Sequence, residues 1–175
     1  SPMSRGLGDV YKRQTLDYNG KVVIVTGAGG GLGRCHALEF ARRGAKVVVN
    51  DLGGAVDGSG GSSEAADKVV EEIKAAGGEA ISNGSSVTDD AGVANMVQQT
   101  MDAYGRIDVL VNNAGVLRDK SFAKMEIADF DFVVDVHLFG TMKPTKAVWP
   151  IMKEQGYGRI TVSYTHLRAH ETSEN

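Results

Sequence analysis

The chain has 175 residues, with 19 Lys and Arg against 22 Asp and Glu, four histidines and one cysteine. That length suits one domain with its own core, and a net charge of −3 gives no electrostatic reason to expect nucleic acid or an anionic membrane. Cys35 alone excludes an intramolecular disulfide and a cysteine metal cluster, and no apolar run approaches the ~20 residues of a membrane-spanning helix. These features imply a protein of a soluble, reducing compartment without a metal centre, and Cys35 reads as a small helix residue.

The two ends differ from the middle. Ser4 to Gln14 has no apolar periodicity, and one DNA string can encode it. The reverse complement of that string, in a shifted frame, encodes Val162 to Glu171. Unrelated protein segments do not share DNA in this way. Residues 1–14 and 162–175 are therefore expected to be translated sequencing adapter, non-native, leaving 15–161 as the domain.

Within 15–161, Val22 to Val25 reads as a buried strand. It runs into Thr26-Gly27-Ala28-Gly29-Gly30-Gly31-Leu32-Gly33, and a helical stretch follows from Arg34 to Arg43. Strand, glycine turn and helix together put backbone N–H groups and a helix N-terminus against a pyrophosphate. Gly27 permits the turn, Gly31 lets the phosphates approach, and Gly33 lets helix and strand pack closely. The spacing T-G-x-x-x-G-x-G is neither G-x-G-x-x-G nor a P-loop, since no Lys-Ser or Lys-Thr follows. Gly44 ends the helix.

Lys46 to Asn50 is a second buried strand. It stops at Asp51, at the distance from the turn where a ribose-binding acid is found. A carboxylate there accepts from the 2′- and 3′-hydroxyls and repels a 2′-phosphate; a helix cap or plain loop Asp is the alternative. Leu52 to Gly61 is a long glycine-rich loop, expected to be mobile. Glu64 to Ala76 is an amphipathic helix with Ala65, Val69, Ile73 and Ala76 on one stripe, and Glu79 to Asn83 is a third strand. Asp89 or Asp90 caps a helix running to Tyr104, with Val93, Met96, Val97 and Met101 inward. Val109 to Val111 is a fourth strand, leading into Asn112-Asn113-Ala114-Gly115. A long helix follows from Ala128 to Gln155, where Pro144 and Pro150 are expected to bend or break it. Arg159 to Thr161 begins a fifth strand.

Strands alternating with helices predict an α/β fold, a Rossmann-type doubly wound parallel sheet that stops after the start of its fifth strand. Ligands of such sheets bind beyond the carboxyl ends of the strands. Gly27 to Gly33, Asp51, Ser85 to Val87 and Asn112 to Gly115 all fall there.

On the glycine turn, Asn112-Asn113-Ala114-Gly115 and Gly158-Arg159-Ile160, the sequence resembles the short-chain dehydrogenase/reductase family over nearly all of 15–161. Val48 to Gly54, Gly115 to Asp119 and Val136-His137-Leu138 further resemble its (3R)-hydroxyacyl-CoA dehydrogenase subgroup, found in peroxisomal multifunctional enzymes of type 2 and bacterial relatives. The resemblance implies NAD as cofactor. It puts the pyrophosphate on Gly27, Gly29, Gly31, Leu32 and Gly33, and the adenosine ribose on Asp51. It puts the cofactor near the nicotinamide ribose against Asn112, Asn113, Ala114 and Gly115. At Ser85 the family commonly has an adenine-contacting Asp; here the Ser85 hydroxyl and the backbone of Ser86 and Val87 remain. His137 falls at the family's proton-relay Asn, although by residue type alone it reads more readily as a packed helix residue than as a catalytic one. The resemblance further implies a small-molecule substrate, an acyl thioester, and a parent homodimer or homotetramer formed through the long helix. It implies a cytoplasmic location, or a peroxisomal one in a eukaryote.

The family's acid is a Tyr four positions before a Lys, with a Ser upstream. No Tyr-x-x-x-Lys occurs: Tyr11, Tyr18, Tyr104, Tyr157 and Tyr164 precede Thr15, Val22, Asp108, Thr161 and Arg168 at that spacing. Ser163, Tyr164 and Arg168 imitate the set inside the adapter-like segment. Two readings follow: an inactive cofactor-binding fragment of an NAD-dependent oxidoreductase, or a dinucleotide-binding or assembly module without chemistry.

Overall fold

The computed structural model describes residues 16–53 and 64–163. The segment before residue 15, most of the glycine-rich loop, and Tyr164 to Asn175 lie outside the described residues. Five strands form one sheet: β1 (Val22–Thr26), β2 (Lys46–Asn50), β3 (Glu79–Asn83), β4 (Val109–Asn112) and β5 (Arg159–Val162). Their order is β3-β2-β1-β4-β5 and every pairing is parallel, so the doubly wound sheet expected from sequence is the one that forms. The connections carry α1 (Gly31–Arg42), α2 (Glu64–Ala75), α3 (Asp90–Tyr104), α4 (Ile127–Val134) and α5 (Gly140–Glu154). The fifth strand reaches Val162, which pairs with Asn112.

Alternation along each strand divides the core into two layers. Val23, Val25, Val47 and Val49 face α1 and α2, meeting Ala37, Ala41, Val69 and Ile73. Ile24, Val48 and Leu110 point to the other face and meet Met96 of α3 with Val148 and Met152 of α5. A strand covered on both faces needs apolar residues at every position, and all five of β1 are buried.

Three details depart from the periodicity reading. The first helix starts inside the glycine turn, at Gly31, because the turn supplies its first residues. The buried stripe of α2 is Ala66, Val69, Val70 and Ile73, while Ala76 is exposed and Cys35 on α1 is exposed too. The long helix runs through both prolines. Pro144 sits in the buried stripe Gly140, Pro144, Val148 and Met152, whose packing holds the helix despite the lost N–H. The break from α geometry lies upstream, in a π-helical segment, Asp135–Phe139, joining α4 to α5.

At the amino ends of the strands the sheet is pinned by Asp108, whose side chain is fully buried. It accepts from the Val22 amide at 3.0 Å, from Arg106 Nε and Nη2 at 2.7 Å each, and from Lys21 Nζ at 3.2 Å. Burial pushes its pKa up, but the Arg106, Val22 and Lys21 hydrogen bonds outweigh this, and the carboxyl titrates below its ordinary value. Stability from Asp108 is fully present above the unfolded pKa of about 3.9 and is lost as pH falls through the lower folded value. Asp108→Asn is expected to melt roughly 2–3 kcal/mol less stably at pH 6, since Arg106 and Lys21 can still turn to solvent. Denaturant unfolding at pH 6 and pH 3 should show that deficit shrinking in acid.

Candidate functional site

The opposite, carboxyl rim of the sheet carries the polar loops. Thr26 ends β1, and its hydroxyl accepts from the amides of Asn113 and Ala114 at 3.0 Å each. Asn113 answers with Nδ2 donating to the carbonyls of Thr26 at 3.1 Å and Gly27 at 3.0 Å. These bonds lock the turn after β1 to the loop after β4, the point where the strand order reverses. A cleft of about 550 Å³ opens there. The turn over it requires positive φ at Gly27 (61°) and Gly31 (51°), which glycine adopts without strain. The turn leaves the N-terminus of α1 without a side-chain cap, and Gly30 and Gly31 present open space where a Cβ would stand. Free N–H groups of a first helical turn, with no side chain in front of them, can receive an anion.

Asp51 closes the next stretch of rim. Its Oδ2 accepts from the Gly29 amide and its Oδ1 from the Gly53 amide, both at 2.7 Å. Each oxygen keeps a lone pair, so the carboxylate is aimed and still able to accept from a diol. Ser85, Ser86 and Val87 follow at the end of β3 and line the same cleft.

The expected site residues separate by position. Gly27, Gly31, Leu32, Asp51, Ser85, Ser86, Val87, Asn113, Ala114, Gly115 and His137 line this cleft together. Gly29, Gly33 and Asn112 lie behind it. Gly29 packs under Asp51, and Gly33 is wedged against the Gly27 carbonyl. Asn112 is buried, donates to Thr145 Oγ1 at 3.1 Å, and faces a second cleft of about 670 Å³ beyond the 114–117 loop. Ser163 donates to Asn113 Oδ1 at 2.7 Å, while Tyr164 and Arg168 lie outside the described residues.

His137 stands between the two clefts, on the π-helical segment. Its Nε2 lies 3.1 Å from the Val116 amide and 2.9 Å from the Val116 carbonyl, so the tautomer decides whether it accepts or donates. The ring fills the space a Gly115 side chain would need, with Cε1 2.9 Å from an ideal Cβ. The imidazole thus holds the loop that divides the clefts.

Sequence reading missed the amides behind the rim. Asn50, Asn83, Asn95 and Gln99 form one network beneath Ser85. The available signal was a polar Asn ending each of two apolar strands. Residues Val116, Phe132 and Val136 of the lining were also missed, because their spacing reads as ordinary core.

The sequence model of a family described as short chain dehydrogenase matches residues 21–165. Peroxisomal multifunctional enzyme A of Dictyostelium discoideum is 57% identical over 148 residues, which cover 85% of this chain and 33% of that protein. Peroxisomal hydratase-dehydrogenase-epimerase of Saccharomyces cerevisiae is 54% identical over 145 residues, covering 83% of this chain and 16% of the relative. Among solved structures, a 7α-hydroxysteroid dehydrogenase complexed with NADH and 7-oxo glycochenodeoxycholic acid superposes with a TM-score of 0.75 at 34% identity. That match covers 83% of this chain and 53% of the other. The chain therefore spans a third or less of these two curated relatives and about half of the solved one.

Proposed function

The chain belongs to the short chain dehydrogenase family, a family of oxidoreductases, and from that membership we propose that it is the NAD-binding part of a dehydrogenase acting on a secondary alcohol. The observation that carries the cofactor reading is Asp51, held by two backbone amides at the end of β2 beside an uncapped helix N-terminus. The residues present fit a dinucleotide: the Gly30–Gly31 opening leaves room for a pyrophosphate, and Asp51 accepts from an adenosine ribose. The NADH bound to the 7α-hydroxysteroid dehydrogenase supports the same choice. When bound, the nicotinamide would exchange a hydride with the substrate carbon. The part of this chain is to bind and orient: Asn113 and Thr26 hold the turn, and His137 holds the Val116 loop where substrate and nicotinamide would meet.

The substrate is proposed to be a 3-hydroxyacyl thioester on the subgroup resemblance of Val48 to Gly54, Gly115 to Asp119 and Val136 to Leu138, and the name hydratase-dehydrogenase-epimerase of one relative agrees in including a dehydrogenase. The word peroxisomal in the names of both relatives supports a peroxisomal location for a eukaryotic parent, and a cytoplasmic one is proposed otherwise. Native residues are proposed to run over 15–161. Exposed Leu138, Met142 and Trp149 on the long helix support a parent that assembles with copies of itself there. A binding or assembly module without chemistry is favoured instead by one feature, the lack of Tyr-x-x-x-Lys in the sequence.

Among the described residues lining the cleft none is Lys or Arg, so a 2′-phosphate would meet Asp51 without a cation from them. NADH is expected to bind roughly 100-fold more tightly than NADPH, the scale of an uncompensated like-charge contact. Asp51→Ala should bring the two within about tenfold. Fluorescence titration with both cofactors measures this, and equal or tighter NADPH binding would sink the assignment.

A further inference from the structure

We propose that Asn19–Gly20 is a self-modification site, at which the exposed turn before β1 converts Asn19 to aspartate and isoaspartate, while the fold holds the same dipeptide at Asn83–Gly84 unreacted. The proposal does not rest on the dinucleotide reading.

The sequence has two Asn–Gly pairs, at 19–20 and 83–84. Glycine after Asn favours this reaction, because no Cβ screens the following amide nitrogen and its backbone turns freely. The Gly20 nitrogen gives its proton to solvent and attacks Asn19 Cγ. The new N–Cγ bond closes a succinimide ring, the Cγ–Nδ2 bond breaks, and the side-chain nitrogen leaves as ammonia. Water then opens the ring at either carbonyl. One opening gives aspartate, and the other gives isoaspartate with an added main-chain methylene. Nothing is oxidised or reduced, and water is the co-reactant.

Asn19 and Gly20 are both exposed, in a turn closed by the Lys21 amide donating to the Tyr18 carbonyl at 2.9 Å. Gly20 stands at φ 71°, with open space where a Cβ would be. Among the described residues, neither the Asn19 side-chain amide nor the Gly20 N–H has a hydrogen-bond partner. Both reacting groups are therefore wet and free to meet. Asn83 is 4% exposed, and its side chain is held at both ends. Its Oδ1 accepts from Asn50 Nδ2 at 2.8 Å and from the Ser85 amide at 3.1 Å. Its Nδ2 donates to Asn95 Oδ1 at 3.1 Å and to Gln99 Oε1 at 2.7 Å. Gly84 is exposed like Gly20, so the held side chain, not the attacking nitrogen, separates the two pairs. Turning Asn83 Cγ toward the Gly84 nitrogen would break these bonds, each worth roughly fivefold. Conversion at Asn19 would place a new carboxylate in the turn that leads to Lys21, whose Nζ donates to Asp108 at 3.2 Å.

The test incubates the full chain in mildly alkaline buffer, native or in guanidinium chloride, and digests it with trypsin. Mass spectrometry of peptides 14–21 and 75–106 follows the exchange of a side-chain NH for O, with fragment ions locating it at Asn19 or Asn83. In denaturant both pairs should convert at comparable rates, since local sequence alone then sets them. In the native chain Asn19 is expected to convert at least roughly 100-fold faster than Asn83, the scale of three or four ordinary hydrogen bonds. Asn19→Gln, which would have to close a larger ring, should leave peptide 14–21 unconverted. Native rates at Asn19 and Asn83 within a few-fold of each other overturn the proposal. So does conversion of peptide 14–21 that survives Asn19→Gln, or a native Asn19 that stays intact while the denatured one converts.

Discussion

Mixed with NAD and a 3-hydroxyacyl-CoA, this chain is expected to form NADH at no more than background rate. Oxidation of a secondary alcohol needs a base for the hydroxyl proton as the hydride leaves, and each positioned acid–base group contributes ~10²–10⁴-fold. The sequence holds no Tyr-x-x-x-Lys, and among the described residues the titratable side chain that lines both clefts at the Val116 loop is His137. Its Nε2 is engaged with the Val116 backbone at 2.9 and 3.1 Å, which suits holding a loop better than taking a proton. Absorbance at 340 nm, compared between this chain and one extended by a native segment containing Tyr-x-x-x-Lys, gives the answer. Restored turnover in the longer chain supports the fragment reading, and none in either supports the binding-module reading. Turnover by the short chain that Tyr164→Phe abolishes would return the imitation set Ser163, Tyr164 and Arg168 to the chemistry.

The second large effect is expected at Gly33. A Cβ there would stand 2.2 Å from the Gly27 carbonyl oxygen, 2.5 Å from Asn113 Nδ2 and 2.9 Å from Ala28 Cα. None of these can step aside cheaply. Two are backbone atoms of the turn, and the third is the amide that ties the turn to β4. Gly33→Ala should lose about 3 kcal/mol of stability through overpacking and dinucleotide affinity with it. Gly30→Ala is the control, since its Cβ would meet nothing within 4 Å and its backbone is extended at φ −160°. That variant should unfold at nearly the wild-type denaturant concentration and still bind NADH more weakly, because its methyl enters the opening over the helix N-terminus. Equal unfolding midpoints for Gly33→Ala and wild type would refute the packing account.

Asp51 and the glycine turn were legible because their chemistry is local. Gly27 and Gly31 sit in left-handed backbone and Asp51 directly follows an apolar strand, so spacing alone brings them to one rim. The amide network beneath Ser85 was not legible. Asn83 and Asn95 are twelve positions apart on different elements, and nothing in either residue says which end of its amide faces the other. Gly33 looks like Gly30 in sequence; the fold of the Gly27–Ala28 turn back onto it and the approach of Asn113 from 80 positions away make one indispensable and leave the other open.

By itself, then, the sequence determined the alternation of five strands with their helices, the parallel sheet and the residues at its carboxyl rim. Period-two and period-3.6 apolar patterns are written into consecutive residues and need no partner to be read. Tertiary structure decided the rest: that Asn112 turns away to a second cleft, that Asp108 pins the far end of β1, and that His137 clasps the Val116 loop from a π-helical segment. Each of these depends on which distant side chain arrives within about 3 Å, and a directional hydrogen bond exists only once that geometry is met.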